Sequence, residues 1–170
     1  MMQHKIVIAN SGFAYSGKST SIRYVFELLS SRYRVIEPIN GYNPKVDVKA
    51  IIEIPQSDGH MVKVGIESQG DPGSRQMDSI NYFINKDCEI ILVACRVKGA
   101  TKDKVLSLQP IDWQVIWFKN SIMKVDGANQ SSTTPPLRTQ DVQLQERLSR
   151  DYAFYVASLI ERLVLTEGII

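Results

Sequence analysis

Eight residues near the start of the chain decide the expected fold: Gly12-Phe13-Ala14-Tyr15-Ser16-Gly17-Lys18-Ser19. They match the pattern G-x-x-x-x-G-K-[ST] at every fixed position. A short β-rich run at residues 5–9 precedes them, and apolar residues at helical spacing follow them. This order of strand, glycine-rich loop and helix predicts a loop that holds phosphate groups at the start of a helix.

Each fixed position of this pattern has a chemical reason. The two glycines let the main chain curve tightly, so that successive N–H groups point inward at phosphate oxygens. Lys18 is expected to reach the β- and γ-phosphates, and the Ser19 hydroxyl to ligate Mg²⁺. The positive end of the helix dipole adds to the attraction. The residues expected to contact the cofactor are Gly12, Phe13, Ala14, Tyr15, Ser16, Gly17, Lys18, Ser19 and Thr20.

On these residues the chain resembles the P-loop NTPase superfamily. The resemblance implies a three-layer α/β/α fold and a nucleoside triphosphate ligand bound together with Mg²⁺. ATP is the expected nucleotide by default, and GTP is not excluded. The alternation of strand-like and helix-like segments along most of the chain independently predicts an α/β layered sheet.

The rest of the chain predicts a single domain over residues 1–170. Extended runs at 50–54 and 61–66, joined around Asp58-Gly59, predict a hairpin that adds one antiparallel edge strand to a mostly parallel sheet. The most apolar run, 88–95, is typical of a central parallel strand. Further elements are expected in the second half: a helix at 100–108, a strand at 112–118, a mobile loop or lid at 119–140 and a last helix at 141–166.

An acidic segment, Glu67-Ser68-Gln69-Gly70-Asp71, follows the strand at 61–66. P-loop proteins hold the metal with an acid at the end of a nearby strand. Glu67 and Asp71 are both candidates for that role, and the sequence does not choose between them. The arrangement resembles the switch region of small GTPases, with Glu67 and Gly70 where those proteins carry D-x-x-G.

The guanine-reading motif N-K-x-D of GTPases is missing. After the strand that ends at Phe118, the chain reads Lys119-Asn120-Ser121-Ile122. Without the aspartate there is no basis for guanine selectivity, so the sequence does not predict a GTPase.

Three residues are candidates for catalysis. Lys18 would stabilise charge on the γ-phosphate, and Gln69 would orient an attacking water. Arg96 follows a buried strand, and the carboxyl ends of such strands face the ligand crevice in open α/β sheets. Residues 64–74 and 90–96 are similar to stretches of bacterial P-loop proteins, which adds Gly70 to the expected cofactor contacts. Arg75 and Arg138 are weaker candidates.

Three reaction classes remain open. An NTPase would transfer the γ-phosphoryl group to water, and a small-molecule or nucleotide kinase would transfer it to an acceptor hydroxyl. A nucleotide-dependent switch with little turnover would instead bind a protein partner through the loops 38–47 and 68–75.

Composition excludes several other classes. The hydrophobic fraction of 44% and charged fraction of 22% are ordinary for a globular protein. The net charge is +2, and the lysines and arginines form no basic stripe along the sequence, so no nucleic-acid partner is expected. Neither a signal-peptide pattern nor a membrane-length apolar run is present, which predicts a cytoplasmic protein without a membrane partner. Cys88 and Cys95 are expected to be reduced, partly buried thiols rather than zinc ligands.

Overall fold

A computed structural model describes residues 5–12, 17–38, 47–71, 73, 75–119 and 135–166 of the chain. Strands and helices alternate through most of it, as expected for the α/β class. Their bounds in chain order are β1 Lys5–Ser11, α1 Lys18–Ser30, β2 Arg34–Pro38, β3 Lys49–Pro55, β4 Met61–Glu67, α2 Gln76–Asn85, β5 Ile90–Cys95, α3 Ala100–Leu106, β6 Trp113–Lys119 and α4 Pro135–Leu165. A short 3₁₀ turn, Gln109–Ile111, connects α3 to β6.

The six strands form one mixed sheet in the order β2-β3-β4-β5-β1-β6. Strands β4, β5, β1 and β6 are parallel, and β3 is antiparallel to both of its neighbours. The predicted α/β class and mostly parallel sheet are therefore confirmed. The predicted antiparallel edge strand is wrong in its position, because β2 pairs along the open side of β3 and becomes the edge itself.

Helices cover both faces of the sheet. One core lies between the sheet and the helices α1 and α4, and it includes Ile8, Ile22 and Ile160. The other lies against α2 and α3, and it includes Val7 and Phe83. Successive residues of a strand point to opposite faces, so each central strand contributes side chains to both cores. The predicted helical layers thus occupy the two sides of one buried sheet.

Two element bounds differ from the expectation. Helix α4 begins at Pro135, six residues before the expected start of the last helix at 141. Proline suits a first helical position because its missing N–H would have no partner there. Residues 135–140 of the predicted loop are therefore helical, and residues 120–134 lie outside the described part of the chain. Helix α3 ends at Leu106, earlier than predicted.

None of the helices in the described ranges combines the length and apolar character that crossing a membrane would require.

Candidate functional site

The carboxyl ends of β1, β5 and β4 meet at one edge of the sheet, and the glycine-rich segment begins there. The Gly12 N–H donates a hydrogen bond to the carbonyl oxygen of Cys95 at 3.2 Å, which fixes the start of the segment beside β5. Gly17 caps α1 with a left-handed backbone, φ 82° and ψ 14°. Glycine adopts that conformation without steric cost. Residues 13–16, four of the predicted contacts, lie outside the described residues.

Lys18 is the first residue of α1 and is only 6% exposed. The Asn10 side-chain amide donates to the Lys18 carbonyl oxygen at 3.3 Å and ties the start of the helix to the end of β1. Burial lowers the pKa of the Lys18 ammonium, Asp71 raises it, and Arg96 lowers it further. These opposing influences show that Lys18, Asp71 and Arg96 are electrostatic neighbours at this edge.

Arg96 and Asp71 form an ion pair, with Arg96 Nε donating to Asp71 Oδ1 at 2.9 Å. The Arg96 main-chain N–H donates to Thr101 Oγ1 at 3.0 Å, so the turn after β5 is held by α3. The Asp71 side chain is 67% exposed. The two residues were predicted from separate segments, and the fold brings them together with Lys18.

Ser19 lies next to the end of β4, although β5 separates β1 from β4 in the sheet. The Ser19 hydroxyl donates to the carbonyl oxygen of Ser68 at 2.9 Å. The predicted metal-binding hydroxyl and the predicted acidic segment are thus adjacent. Thr20, the next predicted contact, accepts a hydrogen bond from Arg23 Nη2 at 3.2 Å.

Glu67 points to the opposite face of the sheet from α1. Val64 and Ile66 belong to the core under α1 and α4, and the next residue along the strand faces the other way. The Glu67 side chain is fully buried and accepts hydrogen bonds from the Gln69 N–H at 3.0 Å and from Ser79 Oγ of α2 at 2.5 Å. Its carboxylate is therefore directed at α2.

Gln69 belongs to a network of side chains at the same edge. Arg75 Nε donates to Gln69 Oε1 at 2.9 Å, and Gln69 Nε2 donates to Asp47 Oδ2 at 3.0 Å. Ser68 Oγ donates to the other carboxylate oxygen of Asp47, Oδ1, at 3.3 Å and accepts from the Val48 N–H at 2.8 Å. The network joins the loop before β3 to the loop after β4.

Asp47 is the site residue that sequence reasoning missed. It stands at the end of the turn-rich segment before β3, where an acid carries no particular signal. Asp47 lies at the site because β3 pairs with β4. The pairing continues beyond both strands, since the Ser68 N–H donates a hydrogen bond to the Val48 carbonyl oxygen at 2.9 Å.

Gly70 packs against the main chain of β5. A Cβ atom added to it would lie 2.5 Å from the carbonyl carbon of Ala94 and 2.6 Å from its oxygen. Only glycine allows this approach, so the acidic segment lies directly on β5. Its predicted contact with a cofactor stays a prediction.

The residues at this edge suit magnesium that arrives with a polyphosphate. Within the described ranges, no group of three or more His, Cys, Asp or Glu side chains is arranged to hold a metal ion. Magnesium is usually bound by one or two carboxylates together with substrate phosphates, not by an all-protein cage. The Asp47 carboxylate, which accepts a hydrogen bond from Ser68 Oγ, fits the carboxylate part of that donor set, and the Ser19 hydroxyl lies against the main chain of the same Ser68.

The two tryptophans and the two cysteines pack in or against the core. Trp113 is buried in the core on the α2 and α3 side of the sheet, and Trp117 is partly buried against it. Cys88 and Cys95 are free thiols, and both are fully buried, where partial burial was expected. Burial raises the pKa of Cys88 to about 12.

No protein-family model matches the chain. Comparisons with curated proteins and with solved structures likewise give no significant match. The function is therefore argued from the residues of the site.

Proposed function

We propose that the chain binds a nucleoside triphosphate with Mg²⁺ through residues 12–19 and transfers its terminal phosphoryl group to water. The observation that carries this proposal is the position of Lys18, a nearly buried lysine that follows a left-handed glycine at the start of α1. In the pattern G-x-x-x-x-G-K-[ST], the lysine at this position reaches the β- and γ-phosphates. The N-terminus of α1 attracts the same phosphates through its N–H groups and its dipole.

The charges around Lys18 support a phosphate ligand. Arg96 is a second cation at the same edge, and Asp71 is the carboxylate paired with it. A γ-phosphate beside Lys18 would compete with Asp71 for the guanidinium of Arg96. The two cations would then stabilise negative charge that develops during transfer, which is the main contribution of protein groups to phosphoryl transfer.

The remaining groups have positioning roles. The N–H groups of the loop and the helix dipole would hold the phosphates, and the Ser19 hydroxyl would bind the metal. Magnesium, when bound, neutralises charge on the β- and γ-phosphate oxygens. The side-chain amide of Gln69 accepts a hydrogen bond from Arg75 and donates one to Asp47. A movement of either partner would therefore change how Gln69 orients a water.

Phosphate release tests the reaction. ATP or GTP with Mg²⁺ should yield inorganic phosphate without any added acceptor. Arg96→Ala should slow release by about tenfold or more at saturating nucleotide, because it removes a cation from the transferring group. Asp71→Ala, which frees the same guanidinium, is the matched variant and should retain turnover. Release that appears only with an acceptor hydroxyl would indicate a kinase instead.

A nucleotide-dependent switch is the second candidate, and the hydrogen bond between Gln69 and Asp47 favours it. This contact joins the loops 38–47 and 68–75, the two segments expected to face a protein partner. A ligand that moves one loop would move the other. Nucleotide binding without turnover in either assay would support the switch over the enzyme.

A further inference from the structure

We propose that Asp47, and not Glu67 or Asp71, supplies the carboxylate that serves the magnesium ion. This inference rests on the proposed function, since it concerns the metal that accompanies the nucleotide. It also gives the loop before β3 a direct part in the phosphate site, which the sequence motif alone does not assign.

Glu67 is poorly placed for the metal because of its direction. Its carboxylate lies on the α2 face of the sheet, and α1, which carries Ser19, packs on the other face. Both of its oxygens already accept hydrogen bonds, from the Gln69 N–H and from Ser79. The side chain is fully buried, so reaching the metal would mean leaving those donors and turning around the edge of the strand.

Asp71 is engaged differently. Its Oδ1 accepts from Arg96 Nε at 2.9 Å, and its charge acts on Lys18. Asp71 therefore lies beside Lys18 and Arg96, the two cations that would contact the terminal phosphate. A carboxylate in that position serves to hold Arg96 until a phosphate arrives.

A single residue, Ser68, connects Asp47 to the Ser19 hydroxyl that is proposed to bind the metal. Ser19 Oγ donates to the main-chain oxygen of Ser68, and the side chain of the same Ser68 donates to Asp47 Oδ1. Asp47 is half-buried, whereas Glu67 is fully buried. The donors Ser68 Oγ and Gln69 Nε2 fix its orientation.

The chemistry suits an outer-shell carboxylate. Magnesium gives up its water ligands reluctantly and is often held by carboxylates that accept hydrogen bonds from those waters. A negative charge at Asp47 would strengthen the binding of a metal–nucleotide complex and, because it repels phosphate, would give no gain for metal-free nucleotide. Removing such an outer-shell group typically weakens metal affinity by about 10- to 100-fold.

Calorimetric titration with ATP, in excess Mg²⁺ and separately in EDTA, tests the assignment. The unchanged protein should bind ATP more tightly with Mg²⁺. Asp47→Asn, which keeps the size of the side chain, should lose about 10- to 100-fold of affinity in Mg²⁺ and lose no affinity in EDTA. Asp47→Glu retains the charge and should keep most of the gain. Asp71→Asn tests the competing carboxylate and should keep the magnesium-dependent gain, although the loss of its ion pair with Arg96 changes ATP binding in both conditions. Asp58→Asn, an exposed change in the turn at the other end of the sheet, is the matched control.

The outcomes separate this inference from the proposed function. No ATP binding by the unchanged protein, in either condition, would remove the proposed function itself. ATP binding that is strengthened by Mg²⁺ equally in the unchanged protein and in Asp47→Asn would overturn only the assignment of Asp47. Loss of the magnesium effect in Asp71→Asn with retention in Asp47→Asn would assign the role to Asp71. Thermal melting of each variant shows that it is folded.

Discussion

The Ser19 hydroxyl donates a 2.9 Å hydrogen bond to the main-chain oxygen of Ser68, so the first turn of α1 is tied to the end of β4 across the intervening strand β5. This bond uses the proton of the hydroxyl and leaves its lone pairs available. A serine held in this way presents an oxygen to a metal without giving up its protein contact. The bond joins two elements and would also position Ser19 as the proposed metal ligand.

Replacement of Ser19 tests this double role. Ser19→Ala should reduce the gain in ATP affinity that Mg²⁺ provides by about tenfold or more, because the direct ligand is removed. It should also lower the free energy of unfolding by about 1 kcal/mol, because the bond to Ser68 is lost. Ser19→Thr keeps the hydroxyl and should preserve both properties. An alanine variant with an unchanged magnesium effect would exclude Ser19 as a ligand.

Ser79→Ala should destabilise the protein without affecting the metal. The change deprives the buried Glu67 carboxylate of one of its donors, and an unsatisfied buried acceptor costs about 1–3 kcal/mol. Chemical denaturation of Ser79→Ala, Glu67→Gln and the double variant would give the coupling energy between the two side chains. The ATP affinity of Ser79→Ala in Mg²⁺ should stay within about twofold of that of the unchanged protein. A loss of ATP affinity as large as that expected for Asp47→Asn would show that Glu67 serves the metal.

Gly70→Ala should disturb both stability and ligand binding. The added methyl group would meet the main chain of Ala94, which cannot rotate away, and such overpacking costs about 1–3 kcal/mol. Since Gly70 joins Gln69 to Asp71, its displacement should also weaken ATP binding.

Gly59→Ala is the control for Gly70→Ala. It imposes a positive φ of 89° on alanine at the other end of the sheet, and the added Cβ has no atom within 4 Å. It should lower the melting temperature and leave ATP affinity unchanged. Equal ATP affinity in both variants would contradict the structural role given to Gly70.

Cys88 should make stability fall at alkaline pH. Burial raises the pKa of the Cys88 thiol from its ordinary value of 9.0 to about 12 in the folded chain. The folded state therefore favours the protonated thiol, and its stability decreases as the pH rises above about 9. At pH 10 the loss from this group is about 1 kcal/mol relative to pH 7. Denaturation at both pH values should show a smaller loss for Cys88→Ala, and identical losses in the two proteins would contradict the burial of this thiol.

Local pattern was sufficient for much of the fold and for part of the site. The strand before Gly12 and the helix after Gly17 follow from hydrophobic periodicity, and Asp58-Gly59 correctly indicated the hairpin of β3 and β4. Arg96 and Asp71 could be associated with Lys18 because all three lie at the ends of elements that open on one edge of a parallel sheet.

What sequence reasoning missed depends on pairing between distant segments. The edge position belongs to β2 because Val35 and Glu37 pair with residues of β3, and a run as short as 34–38 does not reveal its partner. Strand alternation shows that Glu67 and Ile66 face opposite ways, but the face covered by α1 is settled only by tertiary packing. Asp47 reaches the site through the extension of the β3–β4 pair beyond both strands, which no local pattern reports.

Binding of ATP in the presence of Mg²⁺ tests the central claim most directly. At a ligand concentration about 100 times the dissociation constant, ATP should raise the free energy of unfolding by about 2.7 kcal/mol. Lys18→Met removes the ammonium group proposed to contact the phosphates, so it should abolish this stabilisation. Thermal melting of the free variant checks that it is folded. ATP, GTP, ADP and deoxynucleotides should be compared with and without Mg²⁺. The absence of a shift with every nucleotide, or an equal shift in Lys18→Met, would contradict the assignment of residues 12–19 as the phosphate site.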